Sequence, residues 1–228
     1  MVSTKSSLPK RLADVLGVNA KFHKIEDDFF DPSLEYIASP AEAELKYYGD
    51  IGDGGYILSK HDRIIALENM IGRYADRFQD GIYLNMYLHW KNKHYFKFPY
   101  DGTVEYIQIN DPKKIIPALI GRDNIFSGQK GLSKATKQNA NIGMIINAGK
   151  FSYAMIAVGS FNVNHVTVGC EVGKKYHKGD DAGYFSVGST ILLCFDKSFK
   201  ENSELLIRNG KKKDIGENII KIKSIYEP

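Results

Sequence analysis

The stretch GYFSVGSTILLCF, residues 183–195, places two hydroxyls where a tight turn should feed a dry strand. Ser189 follows Gly188, and the run from Thr190 to Phe195 is apolar enough to read as a buried strand. Two explanations are open. In one, Ser189 and Thr190 are turn residues that satisfy neighbouring backbone groups. In the other, Ser189 is a nucleophile set at a glycine step and consumed by chemistry. Groups able to move its proton are scattered along the chain. Glu42 follows a Ser-Pro-Ala turn in SPAEAEL (39–45), and His94 and Lys97 lie in HWKNKHYFKFPYDG (89–102), which a Pro-x-Asp-Gly turn closes. Other signatures are missing from the text: a phosphate loop with its lysine, a dinucleotide fingerprint, paired CxxC, and HExxH. GDIGDGG reads as a turn. Of the six histidines, His89 and His94 come closest together, and a spacing of five suits ligands on neither a helix nor a strand. No metal site is expected.

A chain of 228 residues is long enough to bury a sizeable core around such groups. With 43% hydrophobic and 25% charged residues it has neither the composition of a disordered chain nor that of a coiled coil. Its 21 glycines and 14 tyrosines favour strands and tight turns over a helical bundle. The net charge of +4 suits a partner with negative head groups without demanding one, and no nucleic-acid partner is expected. Cys170 and Cys194 each sit in an apolar run, which reads as buried free thiols in a reducing, cytoplasmic setting. The N-terminal text lacks the apolar core of a secretory signal. No run approaches the ~20 apolar residues of a membrane span, so any meeting with a bilayer is peripheral.

Along the chain, Leu8, Leu12, Val15 and Leu16 predict a short amphipathic helix over 8–18. Strand and turn text follows from residue 35. IIALENMIGRYADRF predicts the one longer helix, over 63–78, and most of the remainder reads as β-branched and aromatic strands. The polar, basic segment 126–143 is too long for a hairpin turn, and long loops of this kind are usually functional or disordered. The C-terminal text offers two strands around a basic turn. The expected fold is α+β, mostly antiparallel β with one main helix: an N-terminal helical segment over 1–35 and one domain over 36–228.

In their order and spacing, SPAEAEL, the segment from Phe78 to Gly102, VGSFNV (158–163) and GYFSVGSTILLCF together resemble the phosphatidylserine decarboxylase family. In that family a Met/Ser-Pro-Ala-Asp-Gly turn precedes an Asn-Gly step and a strand. Then come Tyr-His-Arg-x-His-x-Pro-x-x-Gly, a Val-Gly-Ala strand, and Gly-x-Phe-x-x-Gly-Ser-Thr. The resemblance covers roughly residues 36–215, and residues 78–102 lie on the family pattern without a gap. It implies a proenzyme that cleaves itself between Gly188 and Ser189 and carries a covalent pyruvoyl group derived from Ser189. Elementary chemistry permits this. The serine hydroxyl attacks the preceding carbonyl and moves the acyl group from nitrogen to oxygen. β-Elimination then releases the carboxylate, and the dehydroalanine left behind hydrolyses to pyruvoyl and ammonia. Gly188 allows the close approach, Thr190 and nearby amides would support the oxyanion, and a base must take the hydroxyl proton. The implied reaction turns phosphatidylserine into phosphatidylethanolamine and CO2, with the pyruvoyl ketone as electron sink. His94 matches the family's first histidine, which returns a proton to the α-carbon.

The chain departs from the family pattern at its relay. Glu42 and Ala43 stand where the family has Asp-Gly, Lys97 where it has the second histidine that activates the serine, and Tyr95 where it has arginine. On paper an Asp-His-Ser relay becomes Glu42-Lys97-Ser189. A lysine acts as a base only when burial or a neighbouring cation lowers its pKa, and an adjacent Glu42 would do the opposite. Three outcomes stay open: a Ser-Lys dyad, His94 serving both steps, or an uncleaved chain that binds lipid or a partner without catalysis. His165 and Tyr95 are pocket candidates. Lys130, Lys134 and Lys137 make the long loop basic, which suits docking on an anionic membrane surface at about 1 kcal/mol per lysine. A soluble aromatic amino acid is the alternative substrate, and a homodimer is compatible with the sequence.

Overall fold

Runs rich in Ile, Val, Tyr and Phe bounded by Gly, Asn and Asp become strands, because branched and aromatic side chains pack well on a pleated, half-buried surface. The structure, a computed structural model, describes residues 2–3, 28–59, 63–89, 91–110, 140–159, 166–185 and 189–223. Its first strands are β1 (Val2–Ser3), β2 (Tyr36–Ala38), β3 (Ala43–Gly52), β4 (Tyr56–Ser59), β5 (Arg63–Ala66) and β6 (Ile82–Leu88). Next come β7 (Tyr95–Lys97), β8 (Gly102–Asn110), β9 (Asn141–Asn147), β10 (Ser152–Gly159), β11 (Val166–Val168) and β12 (Lys175–Tyr176). The last are β13 (Asp181–Phe185), β14 (Ser189–Phe195), β15 (Ser203–Leu205), β16 (Lys212–Lys213) and β17 (Asn218–Ile222).

The expected α+β character holds. Ten strands form one sheet, in the order β12-β8-β9-β10-β14-β6-β3-β4-β5 with β16 added on β3. Two small sheets, β1-β11-β13-β7 and β15-β17-β2, accompany it. Among the described residues every pair of neighbouring strands is antiparallel, from β10 with β14 to β13 with β7. Side chains alternate between the faces of the large sheet. Ile191, Leu193 and Phe195 join Leu84, Met86 and Leu88 in a core that also takes in Phe96, Val166, Phe185 and Ile220 from the small sheets. Leu192 and Cys194 belong to a second core with Met70, Ile71, Ala75 and Phe78. Burial pushes the Cys170 thiol up to about 11 and the Cys194 thiol higher still, and both are free.

The helix predicted over 63–78 is divided. Arg63–Ala66 is strand β5, paired with β4 through Ile57 and Ile65, and the α-helical turn α1 runs only over Glu68–Ile71. Gly72, at φ +56°, then ends it, and a 3-10 stretch follows over Gly72–Phe78. Paired Ile64 and Ile65 favour extended backbone, so the apolar stripe that looked helical serves a strand first and a helix second. The stripe still covers the sheet. A Cβ at Gly143 of β9 would lie 2.3 Å from the Met70 carbonyl oxygen, so the helical backbone rests directly on that strand. A second short helix, α2 (Lys197–Glu201), is capped by Asp196, whose Oδ1 accepts from the Phe199 amide at 3.1 Å. The helix predicted over 8–18 lies outside the described residues. Val2–Ser3 of the same N-terminal segment is a strand on β11.

Gly183 lets β13 lie between its neighbours. A Cβ there would meet Thr167 O at 2.2 Å and Phe96 Cζ at 2.7 Å. Gly183→Ala is expected to lower unfolding stability by about 2–3 kcal/mol, because a strand backbone must move to admit the methyl group. Urea denaturation of both proteins checks this.

Candidate active site

Strand pairing places Ser189 and Thr190 at one end of the large sheet. Ser189 opens β14 and stands between Gly159, the last residue of β10, and Leu88, the last of β6. In the next row Thr190 lies between Val158 and Tyr87. That row continues through Glu44 to Lys212 on one side and through Asn141 to Asn110 on the other. Because β14 has a partner on each side, Ser189 begins an interior strand, as its apolar sequel suggested. Gly188, His165, Lys130, Lys134 and Lys137 lie outside the described residues. The described strands on either side of the stretch with the three lysines, β8 ending at Asn110 and β9 beginning at Asn141, meet where Asn110 Nδ2 donates to Asn141 Oδ1 at 2.7 Å, in the row next to Ser189.

His94 is tied to the strand that precedes Ser189 in the chain. It precedes β7, and its carbonyl accepts from the Phe185 amide at 2.7 Å, the last residue of β13 before the chain runs on to Ser189. The side chain is 1% exposed. Its Nδ1 lies against the carbonyl oxygen of Asn92. A carbonyl only accepts, so this contact assigns the proton to Nδ1 and makes Nε2 the acceptor nitrogen of the ring. Burial and tautomer together suit His94 to proton transfer at Nε2.

Glu42 supports the segment before His94. Its Oε2 accepts from the Lys93 amide at 2.9 Å, and its carbonyl accepts from Asn92 Nδ2 at 2.7 Å. The turn itself is fixed by Ser39 Oγ donating to Ala41 O at 2.8 Å. Lys97 is stitched to the same turn through its amide, which donates to Pro40 O at 2.9 Å. Its ammonium goes elsewhere. Nζ donates to Asp181 Oδ1 at 2.8 Å, and the Lys97 side chain is 8% exposed against 52% for Asp181. In this position Nζ is a donor, and it would have to leave Asp181 before it could accept a serine proton. Lys97 faces Asp181 at one end of the β7–β13 ladder, and His94 meets Phe185 at the other. Of the pair, His94 is bonded to the residue closer to Ser189 in sequence, Phe185 rather than Asp181.

Thr190 lies on the helix side of the sheet, in register with Val158 of the second core. Its buried hydroxyl has no hydrogen-bond partner among the described residues. Tyr95, in the arginine position, is buried, and its hydroxyl donates to Asp28 Oδ2 at 2.6 Å. Asp28 also accepts from Lys93 Nζ at 2.9 Å. Asp28, Asn92 and Asp181 escaped the sequence reading. Asp28 and Asn92 carried no local signal, whereas Asp181 stood two residues before the glycine of the Gly-x-Phe motif.

A cleft of about 1170 Å³, lined by Tyr100, Asp101, Asn147, Lys150 and Lys221 among others, opens at the other end of the sheet. β10 separates Ser152 from Gly159 by about 23 Å at ~3.3 Å per residue, so this cleft lies far from Ser189. Among the described residues no helix is long and apolar enough to cross a membrane.

The fold describes a β-rich protein in which a serine opens an interior strand and a buried histidine is bonded through its carbonyl to Phe185, four residues before that serine. The chain belongs to the phosphatidylserine decarboxylase family, whose model matches residues 21–221. It is 27% identical over 169 residues to a phosphatidylserine decarboxylase proenzyme of Halalkalibacterium halodurans, covering 73% of this chain and 62% of that protein. A proenzyme of the same name from Geobacillus is 26% identical over 179 residues, covering 78% and 66%. One from Coxiella burnetii is 28% identical over 177 residues, covering 71% and 62%. The chain thus spans less than two thirds of the length of these relatives.

Proposed function

We propose that this chain is a self-processing, pyruvoyl-dependent decarboxylase that converts phosphatidylserine to phosphatidylethanolamine and CO2. The observation that carries the reading is the position of Ser189 at the start of an interior strand, four residues beyond the Phe185 amide that is bonded to His94. The surroundings fit a small ketone. Gly159 opposite brings no side chain, and Leu88, Phe96 and Phe185 belong to one buried apolar cluster that excludes water.

Maturation would begin with His94 Nε2 taking the Ser189 hydroxyl proton while Oγ attacks the carbonyl of Gly188. The C–N bond breaks as the C–O bond forms, and the proton returns to the departing nitrogen. A base then takes the α-proton of residue 189 as its Cβ–O bond breaks, which frees the new carboxylate of Gly188 and leaves dehydroalanine; its imine tautomer takes up water, releases ammonia and leaves the ketone. Once formed, the pyruvoyl group supplies the electron sink for loss of CO2 from the substrate amine. His94 then holds the proton destined for the substrate's α-carbon. Glu42, through the Lys93 amide, fixes the backbone that presents His94.

The reading divides the chain into a domain from residue 36 onward, cut between 188 and 189, and the segment before it. It also makes the protein cytoplasmic and peripheral to the membrane. The segment between Asn110 and Asn141 carries Lys130, Lys134 and Lys137, and its three lysines would face anionic lipid. Replacing all three by glutamine is expected to weaken binding to anionic vesicles on the order of 100-fold, from about 1 kcal/mol per lysine. Vesicle flotation measures it, and unchanged binding removes the loop from the docking surface. The activity itself is tested by incubating the matured protein with phosphatidylserine in mixed micelles. Matured protein that yields neither phosphatidylethanolamine nor CO2 overturns the substrate assignment.

A further inference from the structure

We propose that Asp181 is a positioning residue for maturation: its ion pair with Lys97 sets the register of β13 on β7 and so aligns His94 with the run into Ser189. The inference rests on the self-processing reading above and adds a residue to it. β7 has only three residues, and its pairing with β13 is interrupted by an irregularity between Asp181 and Gly183. A ladder so short and so interrupted specifies its own register weakly, and a slip of one residue would turn every side chain to the opposite face.

Both ends of the ladder are pinned. At one end the Phe185 amide donates to the His94 carbonyl at 2.7 Å. At the other, Lys97 Nζ donates to Asp181 Oδ1 at 2.8 Å. The Phe98 amide, donating to Asp180 O at 2.8 Å, continues the second attachment. Between the pins Gly183 faces Phe96 with no space for a side chain. The ion pair and the close approach at Gly183 together distinguish this register from its neighbours. A slip one way would set Ala182 opposite the nearly buried Lys97 ammonium and leave it without a carboxylate. A slip the other way would set Asp180 there, whose Oδ2 would have to give up the His177 amide that it accepts from at 2.7 Å. Lys97 thus acts as an anchor, although it stands in the position where the family has its base.

The test compares the rate at which the full chain breaks at 188–189, followed by intact mass after synthesis, in four proteins. Asp181→Asn leaves a buried ammonium without its partner, whereas Lys97→Met with Asp181→Asn removes both charges, an exchange that is often neutral for stability. The double variant is therefore expected to keep the wild-type melting temperature and still mature about 10- to 100-fold more slowly, as small misplacements of a reacting group do. Asp181→Asn should be slowed to a similar degree, and Asp181→Glu, which retains the carboxylate, should mature within about threefold of the wild type. A folded double variant that matures at the wild-type rate overturns the inference, and so does an Asp181→Glu protein as slow as Asp181→Asn. If the wild-type chain itself never breaks, the self-processing reading falls and takes this inference with it.

Discussion

Ser189→Ala should leave a single unbroken chain, while the wild-type protein resolves into two fragments divided between Gly188 and Ser189. The C-terminal wild-type fragment should be lighter by one ammonia than the same peptide beginning with serine, because the CH(NH2)–CH2OH of residue 189 becomes CO–CH3, losing both the amine and the side-chain hydroxyl while gaining one ketone oxygen. The alanine variant has no Oγ to accept the acyl group, so neither the ester nor the elimination can follow. Decarboxylation should fall to background, a loss on the order of 10⁶-fold or more, since the electron sink is never made. The fold should persist. Pairing of residue 189 with Leu88 and Gly159 is a main-chain matter, and the strand beyond it is buried on both sides. Circular dichroism and the melting temperature provide the control. Two fragments from the alanine variant would point to cleavage by another protease and would remove Ser189 from the chemistry.

His94→Gln is the second large effect. Glutamine approximates the volume of the imidazole and can still meet the Asn92 carbonyl with its amide, but it presents no basic nitrogen. Maturation should slow by about 10²- to 10⁴-fold, the usual contribution of a general base. Turnover of protein that has matured during long incubation should fall by a similar factor, because proton return to the α-carbon draws on the same ring. The comparison with Lys97→Met decides which residue is the base. With Lys97 held by Asp181 at the far end of the β7–β13 ladder, its loss should cost less than that of His94. A His94→Gln protein that matures normally beside a Lys97→Met protein that does not would restore the Ser-Lys arrangement suggested by the aligned sequence.

Much of this protein was legible in its residues. The run STILLCF is too apolar and too branched to be anything but a buried strand, and it is one. Cys170 and Cys194 sat in apolar runs and are buried thiols. The strand-rich character followed from the aromatic and β-branched text. The stretch over 63–78 misled because its apolar spacing suits two structures, and pairing with β4 selected a strand for its first four residues. Helix periodicity reports which side chains seek a core but not which backbone delivers them.

The site divides along the same line. Residue types and order determined the candidates: a Gly-Ser-Thr step at a strand start, a histidine in an aromatic run, and an acid after a Ser-Pro-Ala turn. Those are local properties, set by the chemistry of each side chain and its immediate neighbours. Which groups touch was decided by the tertiary structure. Glu42 does not reach for Lys97 but holds the Lys93 amide, and Lys97 turns to Asp181, 84 positions along the chain. Asp28, which holds Lys93 and Tyr95, stands 65 and 67 positions before them. Hydrogen bonds and ion pairs act over about 3 Å, and only the pairing of β6, β7, β13 and β14 brings such distant residues within that range.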